Sequence, residues 1–126
     1  MTEPLALIIE DDLNLLTIFT EAIRRAGYAV KAVQTGEEAI AALFNGVDGA
    51  ERPDLIVLDF HLPGVSGVEV LNRIRATPAL ARTALVLATA DPVLGDQYHG
   101  ESDYLLVKPV SYHVLRELAE KLAARH

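Results

Sequence analysis

The run Leu55-Ile-Val-Leu58 constrains this chain more than any other stretch. Four consecutive apolar residues describe a strand covered on both faces, as at the centre of a parallel sheet. The run stops at a carboxylate, Asp59, and the turn pair Pro63-Gly64 follows shortly after. In an open α/β sheet, ligands bind beyond the carboxyl ends of the strands, so Asp59 stands where chemistry is expected. An aspartate there also serves to shape a turn or cap the next helix. The rest of the chain has to decide between these uses.

Apolar runs alternate with helical patterns from end to end, the mark of repeated βαβ units. Leu5–Ile9 reads as the first strand and ends in three acids, Glu10-Asp11-Asp12. A helix then runs to about Ala26, with Leu15, Phe19, Ala22, Ile23 and Ala26 on one arc and Gly27 closing it. Leu13 falls outside that arc and is expected to be an exposed apolar residue. Tyr28–Val33 reads as the second strand, with Lys31 marking a less buried place. Thr35 and Glu38 have the spacing of a capping box, and Asn45–Arg52 reads as a polar loop. After Asp59, Ser66 is a cap for a helix carrying Val68, Leu71 and Ile74, which ends by Pro78. Thr83–Ala88 and Tyr104–Val107 are the last two strands. Between them, Pro92, Gly95 and Gly100 predict the weakest helix of the chain. Ser111 caps the final helix, whose expected buried stripe is Val114, Leu115, Leu118, Ala119 and Leu122. Right-handed crossovers then require a doubly wound five-stranded parallel sheet with helices on both faces, consistent with the order 2-1-3-4-5.

A length of 126 residues, 51% hydrophobic and 23% charged, suits one folded domain, residues 1–126, with one core. A net charge of −7 argues against nucleic-acid binding through a basic face. Without cysteine there is neither a disulfide framework nor a thiolate metal site. The N-terminus lacks the basic and apolar regions of a signal peptide, and the apolar runs are too short to span a bilayer. A cytoplasmic protein without membrane association is expected.

The strand ends converge chemically. The first supplies Glu10, Asp11 and Asp12, the third Asp59, the fourth Thr89 and the fifth Lys108. Two carboxylates about 5 Å apart repel by roughly 3 kcal/mol at an effective dielectric of 20, so several together need compensation. A hard cation with oxygen ligands, Mg²⁺, is the natural remedy and sits readily beside a phosphate. Thr89 offers a hydroxyl donor and Lys108 a point charge, both suited to an anion. Asp59, between the two, is placed to act as a carboxylate nucleophile toward phosphorus. Taken singly, each residue has an ordinary use. Asp12 is equally an N-cap, Thr89 a small loop residue and Lys108 a solvated strand end. Tyr98 and His99 receive no role.

Glu10-Asp11-Asp12, Asp59 with Leu62-Pro63-Gly64 and Gly67, Thr89-Ala90, and Lys108-Pro109 together resemble the receiver domain of two-component response regulators, in order and over nearly the whole chain. The resemblance implies that Asp59 is the phosphoacceptor, fed by a sensor histidine kinase or a phosphotransfer protein. It places Asp11, Asp59 and the backbone carbonyl of His61 on Mg²⁺, with Glu10 acting through water. It further implies that Thr89 and Lys108 hold the phosphoryl group and that the Lys108-Pro109 bond is cis. His61 and Asp91 would flank the path of the hydrolytic water. Leu13 and Asn14 are predicted to belong to the kinase-docking surface. The chain ends with its last helix, so a stand-alone receiver is expected, signalling through protein contacts such as a homodimer. Its only catalysis would be its own phosphorylation and dephosphorylation.

Three departures fall on one side of the domain. The family's aromatic switch position holds Leu105, with Tyr104 one place earlier on the opposite face of a regular strand. The 19 positions from Thr89 to Lys108 are about one helical turn short, which predicts a fourth helix that is short, irregular or missing. Val110 stands where the family often has Phe. These departures motivate one alternative, a degenerate receiver acting as a phosphorylation-independent interaction module. A second is an aspartate-nucleophile phosphohydrolase, disfavoured because His61 stands where such enzymes carry a second Asp. A flavodoxin-like cofactor binder is disfavoured by the acidic first loop, which repels a flavin phosphate.

Overall fold

A computed structural model describes residues 3–44, 52–98, 100 and 102–124. The elements are β1 (Leu5–Ile9), α1 (Leu13–Arg25), β2 (Ala29–Val33), α2 (Gly36–Phe44), β3 (Leu55–Asp59), α3 (Gly67–Arg75), a 3-10 turn (Pro78–Leu80), β4 (Ala84–Thr89), α4 (Pro92–Tyr98), β5 (Tyr104–Val107) and α5 (Tyr112–Ala123). All neighbouring strands pair in parallel, in the order β2-β1-β3-β4-β5. The expected doubly wound sheet is therefore present. Most of the predicted loop Asn45–Arg52, and His99, lie outside the described residues.

Side-chain alternation along the central strands builds two cores. Ala6, Ile8, Leu55, Val57, Ala84 and Val86 face α1 and α5, where Phe19, Ile23, Leu115, Ala119 and Leu122 meet them. Leu7, Ile9, Ile56, Leu58, Leu85 and Leu87 face α2 and α3, packing with Val70, Leu71 and Ile74. Strands β3 and β4 are buried at every residue, while β2 and β5 form the exposed edges. Tyr28, just before β2, is buried and donates its hydroxyl to the Ala119 carbonyl at 2.9 Å, tying the sheet to α5.

Caps set the helix starts. Asp12 Oδ1 accepts from the Leu15 amide at 3.0 Å, Ser66 Oγ from Glu69 at 3.2 Å, and Ser111 Oγ from His113 and Val114. The Thr35–Glu38 capping box forms: Thr35 Oγ1 accepts from the Glu38 amide at 3.0 Å. The return bond to Glu38 comes from the Gln34 amide, one residue earlier than the usual partner. Helix α4 is short, seven residues, with Asp91 Oδ1 accepting from Val93 and Leu94 at its start.

Several details correct the sequence reading. Leu16, left out of the α1 arc, is buried. Val114, assigned to the α5 stripe, is 50% exposed, because it stands about 100° round the helix from Leu115. Strand β4 is shifted by one, so Thr89 ends it and Thr83 precedes it, donating to the Pro53 carbonyl at 2.7 Å. Tyr28 likewise precedes its strand rather than opening it.

Candidate functional site

Hydrogen bonding between parallel strands decides which side chains meet. The β1–β3 register pairs Ile9 with Leu58, so Glu10 and Asp59 leave the sheet side by side. The β3–β4 register pairs Asp59 with Ala88, which sets Thr89 one residue beyond the acid. Thr89 in turn pairs with Val107, and its carbonyl accepts from the Lys108 amide at 2.8 Å. Four strand ends are thereby tied into one rim.

The acids lie close together. One carboxylate oxygen from each of Glu10, Asp11 and Asp59 falls within 4.8 Å of the others. Glu10 and Asp59 are buried, at 1% and 2% exposure, while Asp11 is exposed toward solvent. Lys108 reaches in from β5: its Nζ is 2.6 Å from Glu10 Oε1 and 3.4 Å from Asp59 Oδ2. The following Lys108-Pro109 bond is cis. Backbone amides complete the arrangement. Asp12 N–H donates to Glu10 Oε2 at 3.1 Å, and His61 N–H donates to Asp59 Oδ1 at 3.2 Å.

Burial pushes the Glu10 carboxyl up from 4.5 to about 7, against the pull of the Lys108 and Asp12 hydrogen bonds. The Asp59 charge beside it adds to the rise. For Lys108, burial works toward a lower value, but the Glu10 hydrogen bond and the charges of Asp59 and Glu10 raise it overall. Its ammonium is therefore charged at neutral pH. With Glu10 ionised, as when a bound cation displaces its proton, three carboxylates against one ammonium leave two negative charges, the count a divalent cation balances. The donors are all oxygens, which suits Mg²⁺.

Asp12 resolves as the N-cap of α1, with its carboxylate turned to the Leu15 amide, and the candidate metal acids are Glu10, Asp11 and Asp59. Thr89 is fully buried, and its Oγ1 accepts from the Asp91 amide at 3.0 Å. Asp91, expected beside a water path, caps α4 with its carboxylate. Its Asp-Pro pairing with Pro92 is a helix-start signal that the sequence reading passed over. Glu37 was missed altogether. From the first turn of α2 its Oε1 accepts the Val65 amide at 2.9 Å, inside the loop that follows Asp59. No local pattern announces a bond between residues 28 apart in sequence.

Strand β5 pairs regularly through Tyr104, Leu105 and Leu106 with no bulge. Leu105 packs into the α2–α3 core, and Tyr104 is 41% exposed on the other face. Tyr98 of α4 meets Phe60, the residue after Asp59, edge to face at 5.3 Å. Leu13 is 64% exposed, as its place off the α1 arc predicts.

Comparison with known proteins agrees with this geometry. The family model described as "Response regulator receiver domain" matches residues 6–120. The transcriptional regulatory protein AfsQ1 of Streptomyces coelicolor is 40% identical over 117 residues, 89% of this chain and 48% of its own length. The signal receiver domain of a LuxO-type repressor protein from Vibrio parahaemolyticus superposes with a TM-score of 0.82 at 25% identity, covering 98% of this chain and 92% of its own. The phosphorylated cyanobacterial phytochrome response regulator RcpA gives 0.78 at 26% identity, covering 96% and 91%. The chain spans about half the length of the curated relatives it matches. With the acidic strand ends, the lysine bridge and the sheet order all in agreement with a model that spans most of the sequence, the chain belongs to the response regulator receiver domain family.

Proposed function

We propose that Asp59 accepts a phosphoryl group from a phosphohistidine on a sensor histidine kinase or a phosphotransfer protein, in a Mg²⁺-dependent reaction. One observation carries the reading: the Lys108 ammonium bridges Glu10 and Asp59 at a cluster of three acids. A carboxylate oxygen of Asp59 attacks phosphorus. The bond from phosphorus to the donor nitrogen breaks, and its electron pair returns to the imidazole. Asp59 is left as an acyl phosphate. Lys108, already against Asp59 Oδ2, moves no great distance to meet the charge of the arriving group. Because Thr89 Oγ1 accepts from Asp91, its own O–H is the part left to donate to a phosphoryl oxygen. Asp11, Asp59 and the His61 carbonyl would hold Mg²⁺, with Glu10 beside it through water. When bound, the ion neutralises charge on the phosphoryl oxygens.

Residues 1–126 act in this reading as a single receiver domain whose catalysis is limited to its own phosphorylation and dephosphorylation. It works in the cytoplasm and signals through protein contacts, including a homodimer, without touching nucleic acid itself. Two facts support this: a net charge of −7, and the lack of any described helix long and apolar enough to cross a membrane. The exposed Leu13 and Asn14, beside the acids, form part of the kinase-docking surface. Leu13→Ala and Asn14→Ala are expected to slow phosphotransfer from the cognate kinase while leaving phosphorylation by a small donor unchanged. The complete acceptor set favours transfer over a phosphorylation-independent module.

Incubation with Mg²⁺ and a small phosphodonor tests the central claim. The intact mass is expected to rise by one phosphoryl group, and Asp59→Asn is expected to abolish the rise. Full modification of Asp59→Asn would place the acceptor elsewhere.

A further inference from the structure

We propose that Glu37 is a positioning residue for Asp59, acting through the loop of residues 60–66. This deepens the phosphoacceptor reading above and rests on it. The loop is held at two places. At its base, the Gly67 amide donates to the Phe60 carbonyl at 3.2 Å. A Cβ on Gly67 would stand 2.5 Å from both the Asp59 carbonyl oxygen and Phe60 Cα, so the start of α3 lies directly on the end of β3. At its far end the loop meets the first turn of α2. Glu37 Oε1 accepts the Val65 amide at 2.9 Å, and the same carboxylate lies against Gly64, whose φ of +72° and missing side chain leave room for it. Gly36 is buried against the Val65 carbonyl, where a Cβ would overlap the oxygen.

Between these two anchorages sits His61, and its amide is the group that donates to Asp59 Oδ1. The carboxylate of Asp59 is thus oriented by an amide whose own place depends on where Val65 is held. Glu37 makes the polar half of that hold. Glu38, its neighbour, is spent on capping α2 and does not reach the loop. The two adjacent glutamates therefore have separate tasks: one starts the helix, and the other ties the helix to the loop that begins at Asp59.

The test compares Glu37→Ala, which removes the acceptor, with Glu37→Gln, whose amide oxygen keeps it. Mg²⁺ binding is measured by calorimetry, and exchange of the His61 and Val65 amides is measured by NMR without metal. Glu37→Ala is expected to weaken Mg²⁺ binding by roughly threefold, below the ~10-fold that loss of a ligand's direct partner costs because Glu37 bonds Val65 rather than a ligand, and to speed exchange of both amides. Glu37→Gln is expected to restore both readouts to near the wild-type values. Wild-type affinity and exchange in Glu37→Ala would overturn the assignment. So would an equal loss in Glu37→Gln, since a distant charge rather than a hydrogen bond would then be at work. Asp59→Asn separates this from the underlying reading. If that variant binds Mg²⁺ as the wild type does, or if the wild type binds none, the metal site itself falls and Glu37 has nothing to position. If Asp59→Asn loses binding and Glu37→Ala does not, only the positioning role falls.

Discussion

Replacing Lys108 with Met removes an ammonium and keeps an apolar stem of similar reach. The ammonium stands 2.6 Å from Glu10 Oε1 and 3.4 Å from Asp59 Oδ2. At an effective dielectric near 20, those separations correspond to attractions of ~6 and ~5 kcal/mol. Most of this offsets the desolvation of the three groups, because Glu10 and Asp59 are buried and Lys108 is mostly so. Removing one partner is costlier than the pair's net worth suggests. Two carboxylates remain in the pocket without their cation, and breaking a buried pair in this way costs about 3–5 kcal/mol. Glu10 offers a partial escape, since its carboxyl is already pushed up to about 7 and takes a proton more readily once the ammonium is gone. The expected loss near pH 8 in chelator is therefore ~3 kcal/mol, the low end of that range.

Urea unfolding followed by far-UV circular dichroism reads this loss in a chain without Trp. Two further measurements tie it to charge. The double variant Glu10→Gln/Lys108→Met removes one charge of each sign and is expected to recover most of the stability. Mg²⁺ at about 100 times its Kd adds ~2.7 kcal/mol to any fold that binds it, and Lys108→Met, with one more uncompensated negative charge, is expected to gain more from a fixed Mg²⁺ concentration than the wild type does. A loss below ~1 kcal/mol, the range of solvent-exposed pairs, with no recovery in the double variant, would refute the reasoning.

Tyr28→Phe is expected to cost ~1 kcal/mol at neutral pH, because the Ala119 carbonyl loses its donor. Burial, then the Asp54 charge, raises the Tyr28 hydroxyl from 10.0 to about 12. The unfolded chain thus ionises first, and the associated stability is fully present below pH 10 and lost as pH rises toward 12. Over those two units the loss approaches ~2.7 kcal/mol, more than the ~1 kcal/mol lead at neutral pH, so urea midpoints of the wild type and Tyr28→Phe should converge and then cross within the window; parallel curves would count against it. Gly67→Ala pits a propensity gain of less than the ~1 kcal/mol of a helix interior, since Gly67 is the first residue of α3, against overlap with backbone atoms of Asp59 and Phe60. Overlap with backbone is expected to win by ~1–3 kcal/mol, so a raised melting temperature would show the contact to be compliant. Asp91→Ala should cost ~1 kcal/mol as a lost cap, speed exchange of the Val93 and Leu94 amides, and change phosphoryl decay, as should substitution of His61. Unchanged amide exchange would remove the cap from the account, and identical decay curves would remove both residues from the hydrolytic path.

The parts of this molecule that sequence revealed are those written in local periodicity. Leu55–Leu58 could be read as central because a continuous apolar run this short, closed by Asp59 and the Pro63-Gly64 turn, fits a strand covered on both faces better than a buried helix segment. The site followed from it: once strand order is known, Glu10, Asp59, Thr89 and Lys108 have to meet at adjoining strand ends. Asp12 stayed ambiguous for a physical reason, since a cap and a metal ligand ask for the same carboxylate at the same place, and only the direction of its Oδ1 toward Leu15 separates them. Gly95 counted against a fourth helix on propensity. A Cβ there would lie 3.0 Å from Leu105 Cδ2 and 3.4 Å from Thr89 Cγ2, so the glycine is what lets α4 approach the sheet beside the site. Pro92 counted against the helix with it, although a proline directly after Asp91 suits the first turn of α4.

Leu105 and Gly95 also bear on how a signal would leave the pocket. With a regular β5 ladder, Tyr104 is committed to the α5 side and Leu105 to the α4 side. A side chain with no hydroxyl therefore packs beside Thr89 against α4, and apart from the Asp91 amide bonded to Thr89 Oγ1 any response of that surface is a packing response. Two contacts are in place to carry one. Gly95 sits close to Thr89 and Leu105, and Tyr98 rests edge-on against Phe60, the residue bonded to Asp59. A helix of seven residues with one capped end has little internal stability of its own. Its position is consequently set by those contacts together with the Asp91 amide that Thr89 Oγ1 accepts at 3.0 Å, and a displacement of Thr89 or Phe60 would be passed to α4 through them.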